Sequence, residues 1–346
     1  MKICYFNLTT SLPARDAVYL SGLRKNGIEI MNCTDNSPGI KKFLNLYKKH
    51  CVLKNSYDFM WVGYSGHILV PFARLLSRKK IVFNSLCSLY EGIIISRVRS
   101  SRFSLKAAWI WLIDFLAFRC ASVSLVESNE QKKWLMKKFF LRDDKLIVAL
   151  TGVDDSLFFY EPNIAQPTVF TVLFRGGFLP ESGIEYAIEA AKILKDEDIR
   201  FEILGRGQME NKVRKMLADF DSKNVEWISQ KIEQNELHRL MQECHLSLGQ
   251  LSDHDRLSRT IPHKAFESLV MKIPYLTARN KGVLELLTEN ETCFCCNPAD
   301  ARDLASKILE IKNNPALAAR IADNAYKLYN EELTPKILAK KVLGVL

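Results

Sequence analysis

LGQLSDHDRLSRTIPHKAFESLVMKIPYLT, residues 248–277, leaves an apolar run, crosses a polar loop rich in Asp and Arg, and enters a helix near Pro262. The helix ends at Met271 and Lys272, and a second apolar run starts at Pro274. Proline suits the first helical turn, where backbone N–H groups have no partner. Those N–H groups point into the loop mouth and favour an anion there. Arg256, Arg259 and Lys264 are expected to surround that mouth, with Glu267 one turn beyond Lys264 on nearly the same helix face. Cations and a helix end would hold phosphates, and the carboxylate would accept ribose hydroxyls, which together make a nucleoside-diphosphate site. A surface helix beside a solvated charged loop fits the same residues equally well.

Outward from this stretch the chain alternates strand and helix. Strands are expected at 2–8, 28–33, 59–63, 80–84, 123–126 and 145–150, with helices at 14–26, 41–54, 67–76, 104–120 and 129–140. Residues 155–168 have little periodicity and two prolines, and read as a linker. The alternation then resumes. Strands at 169–175, 200–204, 225–228, 246–248, 275–278 and 292–295 are separated by helices at 184–194, 209–220 and 235–243 and by the central helix, with a further helix near 283–287. Helices at 299–313, 315–329 and 335–346 close the chain. This pattern predicts an α/β protein of two Rossmann-like domains facing a central cleft, with ligands at the C-terminal ends of the strands. The domains are expected at 1–160 and 161–330, with 331–346 a terminal helix that can return to the first domain.

The 346 residues suffice for two domains, and a quarter are charged, as in a soluble globular protein. The first ten residues read as a strand rather than a signal peptide, and the most apolar long stretch, 107–126, is interrupted by Asp114 and Arg119. Nine scattered cysteines with no leader predict reduced thiols in a cytosolic protein. Cys293, Cys295 and Cys296 lack zinc-site spacing and a neighbouring His. The net charge of +10 is uneven: residues 1–160 hold 24 Lys and Arg against 12 Asp and Glu. That excess fits an anionic partner, such as an acidic membrane surface, or simply a soluble basic face. Arg97, Arg99, Arg102 and Lys106 beside Trp109 and Trp111 place the membrane reading on the helix at 104–120. No basic-aromatic nucleic-acid module is present.

Several motifs resemble the GT-B glycosyltransferases of family four, the group 1 glycosyltransferases, over nearly the whole chain. Gly152-Val153-Asp154 with Phe158 resembles an interdomain signature. The loop opening at Gly176-Gly177 and continuing through Gly183-Ile184-Glu185 resembles the glycine loop of the second domain, and Gly205-Arg206-Gly207 the next strand-end loop. Ile261-Pro262-His263-Lys264-Ala265-Phe266-Glu267, ending at Pro274, resembles a subgroup's helix, while Ser88-Leu89-Tyr90-Glu91 and Asp114 with Arg119 resemble its first domain.

The resemblance implies a retaining transfer of sugar from a nucleotide-diphosphate donor, without a protein-held metal or other cofactor. Its acceptor would be lipid-linked or a polysaccharide precursor. Arg256 and Lys264 are the expected catalytic cations. Gly176, Gly177, Gly205, Arg259, Pro262, His263 and Glu267 are expected at the donor, and Thr10, Arg15 and Glu91 on the acceptor side. The enzyme would be cytoplasmic, or peripheral at the inner face of a membrane, and act in cell-envelope polysaccharide biosynthesis. Two departures from the family stand out. Arg259 occupies the place of the first of a pair of glutamates, and Gly177 and Ser182 occupy the places of a diphosphate-binding Arg and Lys. A non-catalytic nucleotide-binding subunit and a nucleotide-sugar epimerase are therefore the alternatives. Asp253-His254-Asp255 matches a metal-holding Asp-x-Asp, but beside three cations it reads as charge balance. His67 could face the cleft; a lone His is more often structural.

Overall fold

Short apolar runs form the strands because these strands are covered on both faces. Every residue of β3 (Phe59–Val62) and β4 (Ile81–Leu86) is buried. The computed structural model describes residues 1–220 and 223–346. It divides into two units, Met1–Asp154 with Thr334–Leu346, and Asp155–Leu333.

The first unit begins with β1 (Lys2–Asn7), α1 (Ala14–Lys25), β2 (Glu29–Thr34) and α2 (Lys41–Leu53). After β3 come α3 (Leu69–Leu76), β4, α4 (Leu105–Cys120), β5 (Val123–Val126), α5 (Asn129–Phe139) and β6 (Leu146–Val148). All pairings are parallel, in the order β2-β1-β3-β4-β5-β6. Right-handed crossovers put helices on opposite faces when the order reverses. Accordingly Leu46, Val70, Ile110 and Phe139, from α2, α3, α4 and α5, share one core with Phe6, Met60 and Phe83 of the sheet. Side-chain caps fix several helix starts: Ser104 Oγ accepts the Ala107 N–H, and Ser128 Oγ the Gln131 N–H.

The second unit runs β7 (Phe170–Arg175), α6 (Ile184–Ile193), β8 (Ile199–Leu204), α7 (Glu210–Ala218), β9 (Val225–Ile228), α8 (Gln234–Glu243) and β10 (Leu246–Leu248). It continues with α9 (His263–Val270), β11 (Tyr275–Ala278), β12 (Phe294–Cys296), α10 (Ala301–Asn313) and α11 (Pro315–Leu328). Its sheet is also parallel, ordered β12-β11-β10-β7-β8-β9. Phe174, Ile203, Leu248 and Leu276 anchor its core. The last helix, α12 (Pro335–Leu343), packs on α1 of the first unit.

Several local readings differ from the sequence. The helix expected near 283–287 is a single 3-10 turn, Val283–Glu285. The segment Glu91–Ser96, for which no element was expected, winds as a π-helix.

Candidate functional site

In the second sheet the strand order reverses between β7 and β10. Crevices at such a reversal, beyond the carboxyl ends of the strands, are where open α/β sheets bind ligands. β7 ends in Arg175 followed by Gly176, β8 leads into Gly205, and β10 into Gly249. The first two loops touch: the Gly176 N–H donates to the Leu204 carbonyl at 3.0 Å. Gly205 has φ of 144°, and a Cβ there would stand 2.0 Å from the Gly176 carbonyl oxygen, so only glycine fits.

α9 enters this crevice from Pro262, which has extended backbone angles, and its first turn carries Lys264. The Lys264 Nζ donates to the Gly249 carbonyl oxygen at 3.2 Å and lies 4.3 Å over the Phe174 ring. It also sits 3.9 Å from where a Cβ on Gly176 would be. One side chain therefore bridges the ends of both strands at the reversal. Burial, reinforced by the nearby Arg175 guanidinium, lowers this ammonium to about 7. One turn further along α9 the Glu267 carboxylate forms an ion pair with Arg175. Burial lowers the Arg175 guanidinium to about 10, so it stays charged at neutral pH. A cavity of about 280 Å³ opens beyond these strands, lined by Arg175, Gly176, Gly205, Arg206, Gln230 and Lys231 among others.

The structure thus brings Lys264, Glu267, Gly176 and Gly205 together, and adds Arg175. It does not gather the three loop cations around one mouth. Arg256 reaches a different loop, where its Nη1 donates to Glu181 Oε1 at 3.0 Å. Glu181 is buried in the turn Pro180–Ser182. The Ser252 hydroxyl donates to the Glu181 carbonyl at 3.0 Å, and the Leu251 N–H to that of Ser182 at 3.2 Å. Arg256 thus fastens the central loop to the loop after β7. Arg259 is buried and pairs with Asp255, Nη2 to Oδ2 at 2.9 Å. A fourth-neighbour carboxylate has claimed it, as the spacing allows. Pro262 and His263 are partly exposed at the helix start, and Gly177 is exposed beyond the crevice.

In the first unit, Thr10 is exposed and its hydroxyl accepts from the Asn36 amide at 3.1 Å. Arg15 and Glu91, expected on the acceptor side, are interior. Arg15 Nε donates to Asn84 Oδ1 and its Nη2 to the Ala149 carbonyl, both at 2.7 Å. Glu91 accepts from the Gln131 amide at 2.7 Å and is fully buried. Both charged groups are thus held in the interior by protein partners. His67 is likewise buried, 3.0 Å from the Cys87 carbonyl and 3.7 Å from Asp114. Burial drives the His67 imidazole down to about 4, so it is neutral at neutral pH, and pushes the Asp114 carboxyl up to about 7 against the backbone N–H groups of Leu89 and Tyr90 that donate to it.

The sequence reading did not count Arg175, Glu181 or Lys231 among its site residues. Arg175 had a visible signal: a lone cation ending an apolar strand just before Gly176-Gly177. Among the described residues no three His, Cys, Asp or Glu side chains gather as a metal site.

Residues 160–328 match the family described as glycosyl transferases group 1. The chain is 24% identical over 203 residues to an uncharacterized glycosyltransferase of Methanocaldococcus jannaschii, MJ1178, spanning 58% of this chain and 52% of that protein. It is 25% identical over 176 residues to the amylovoran biosynthesis glycosyltransferase AmsK of Erwinia amylovora, spanning 50% of this chain and 43% of that one. The chain therefore spans about half the length of these curated relatives. The fold matches that of Anabaena HepE, crystallised with UDP-glucose, with a TM-score of 0.74, 15% identity and coverage of 99% and 98% of the two chains. The matched segment contains the whole crevice from Arg175 to Glu267, and the likeness to HepE runs along nearly the full length of both chains. Residues 160–328 thus carry the likeness to the group 1 glycosyl transferases, and the chain as a whole has the GT-B fold.

Proposed function

We propose that the chain is a retaining glycosyltransferase that moves a sugar from a nucleoside-diphosphate donor to a lipid-linked or polysaccharide-precursor acceptor. The observation that carries this reading is Lys264, buried at the strand-order reversal against Gly176 and Gly249 and next to Arg175. Cleaving the sugar–phosphate bond pushes negative charge onto the leaving diphosphate. Cations already fixed beside that charge lower the barrier without having to reorganise. Lys264, Arg175 and the first N–H groups of α9 supply such positive charge. Glu267, oriented by Arg175, is suited to accept ribose hydroxyls. Retention enters from the family resemblance.

The amylovoran enzyme AmsK supports a polysaccharide precursor as acceptor, and the UDP-glucose bound by HepE makes UDP-sugars the first donors to try. We place the enzyme in the cytoplasm, peripheral to the inner face of the membrane. No helix among the described residues is long and apolar enough to cross a membrane. We further propose transfer without a protein-held metal, because side-chain cations and a helix end stand where this reading puts the phosphates. The test is a donor panel with radiolabelled or NMR-detected products, in which the product anomer is read before it equilibrates. Inverted product refutes retention. Binding of donor with no turnover over a wide acceptor range refutes the enzyme and favours a nucleotide-binding subunit. Loss of transfer in EDTA with recovery on adding a divalent metal refutes the metal-free reading.

A further inference from the structure

Among the described residues, sixteen of the twenty-one large apolar side chains left exposed lie in the first unit. Most of them are aligned on neighbouring helices. On α4, Leu105, Trp109, Leu112 and Leu116 are exposed, and their spacing sets them in one stripe along the helix. The opposite side of α4, with Ala107, Ile110, Asp114, Ala117 and Phe118, is buried. α2 repeats the pattern at the same spacing: Ile40, Leu44, Tyr47 and Cys51 are exposed, while Leu46 and His50 face inward. Ile68 and Leu75, at the two ends of α3, are exposed as well. The three helices are neighbours, since Phe43 of α2 meets Phe72 of α3 edge-on at 5.4 Å and α3 packs on α4. The loop before α4 adds Val98 and Phe103, the latter 100% exposed. Scattered exposed apolar side chains are ordinary, but a contiguous set marks a surface that is covered in use.

The charge on this face decides what covers it. Residues 36–113 hold thirteen Lys and Arg but only two acidic residues, Asp58 and Glu91. Glu91 is fully buried, and Asp58 sits at the start of β3, where it accepts the Lys2 N–H at 2.7 Å. The only acidic residue in α4, Asp114, is buried too, and α2 has none. Lys41, Lys48, Lys54, Arg99, Arg102 and Lys106 are exposed around the stripes. A second copy of the chain would pair this face with itself across a two-fold axis and set like charges against each other. A bilayer with anionic headgroups instead offers apolar depth and negative charge over a continuous plane.

We propose that α2, α3 and α4 dock on an anionic phospholipid surface, with the apolar stripes of α2 and α4 turned toward the acyl boundary. The lysines and arginines extend their charged ends to the headgroups, and Trp109 lies at the interface. This names the partner in the peripheral association proposed above and rests on that reading for its setting.

The test is flotation with vesicles of phosphatidylcholine alone and of phosphatidylcholine with phosphatidylglycerol, at low and high salt. The wild-type chain is expected to float with the anionic vesicles only and to be released by salt. Arg99→Ala/Arg102→Ala/Lys106→Ala is expected to weaken binding by about fivefold for each residue removed. Trp109→Glu/Leu112→Glu is expected to weaken it by on the order of tenfold or more even at low salt. Melting curves and donor binding confirm that both variants are folded. Equal flotation with neutral vesicles, no flotation at low salt, or wild-type affinity in both variants overturns the proposal. So does a wild-type dimer that the Glu variant converts to monomer, which assigns the face to self-association. Transfer to a water-soluble saccharide acceptor, assayed separately, tests the enzymatic reading alone. Its failure alongside salt-sensitive flotation removes the enzyme and leaves the docking surface standing.

Discussion

Lys264 has an ammonium that burial has brought to about 7, in a crevice proposed to receive a diphosphate. In the empty site it is near half-protonated at neutral pH. A bound diphosphate favours the charged form and raises the value again. Between about 7 and that raised value, binding therefore takes up a proton, and donor affinity is expected to fall by up to about tenfold per pH unit. Calorimetry with a nucleotide sugar between about pH 7 and 8.5, in buffers of different ionisation enthalpy, should show this uptake, and Lys264→Met should abolish it. A pH-independent affinity in the wild-type chain would falsify the assignment. The same lysine is expected to lower stability. Its folded value lies below its unfolded one, so from about 7 to 10.5 the unfolded chain binds more protons. By linkage this group's penalty is full below about 7 and is relieved as pH rises toward 10.5. A folded Lys264→Met chain should therefore melt higher than wild type near neutral pH while losing turnover by roughly ten- to a thousandfold. A lower melting point would show that the Gly249 hydrogen bond outweighs the burial of charge. The presence of Lys264 and Glu267 one turn apart was legible from spacing. The Phe174 ring under Lys264 and the Arg175 beside it come from β7, far away in sequence, so the lowered ammonium was not legible.

At the scale of elements, the crevice depends on loops that contact one another. Gly205 leaves no room for a Cβ against the Gly176 carbonyl and has a φ that other residues rarely adopt. Gly205→Ala is expected to push the two strand-end loops apart, weakening donor binding by on the order of tenfold and costing about 1–3 kcal/mol of stability. Unchanged donor affinity in a folded variant would show that the donor does not rest on these loops. The Arg256–Glu181 pair joins the central loop to the turn before α6. Removing Arg256 takes this contact from the buried Glu181, which costs more than removing Glu181 from the partly exposed Arg256. Arg256→Ala and Glu181→Ala are thus each expected to destabilise the second unit, and the double variant to be less harmful than the two effects added together. Strictly additive melts would show that the contact carries no coupling. These elements differ in how well the sequence revealed them. Strands such as β3, β5 and β11 were readable because buried parallel strands are short apolar runs closed by polar or glycine-bearing loops. The Arg256–Glu181 contact was not, because composition places a cation in a loop but does not say which distant loop supplies its partner. The π-helix at Glu91–Ser96 has no periodic signature that a six-residue segment could display.

At the scale of the whole molecule, the chain returns at its end to the unit where it began. α12 buries Leu338, Ala339 and Val342, and Asn26 Nδ2 donates to the Lys336 carbonyl at 2.8 Å. The approach to α1 is closest at Gly22, where a Cβ would lie 1.9 Å from the Pro335 carbonyl oxygen. Further along α12, the Leu338 side chain reaches within 2.7 Å of where a Cβ on Gly152 would stand, near Val18 of α1. Burying Leu338 and Val342 contributes about 3–6 kcal/mol, a large part of the 5–15 kcal/mol that usually separates folded from unfolded domains. Deleting Thr334–Leu346 is therefore expected to lower the melting of the first unit. A nucleotide sugar should still stabilise the second unit, where Arg175, Lys264 and Glu267 all lie. Gly22→Leu attacks the same contact from the α1 side without shortening the chain. If the contact is what holds α12, the substitution should lower the first unit's melting nearly as much as the deletion does. Combining the two should add little, because the second change removes nothing that the first left in place. Calorimetry with and without donor separates the two transitions. Fully additive losses, or a deletion that leaves the first transition unmoved, would mean that α1 finds its stability in the β1–β2 crossover rather than in the returning helix.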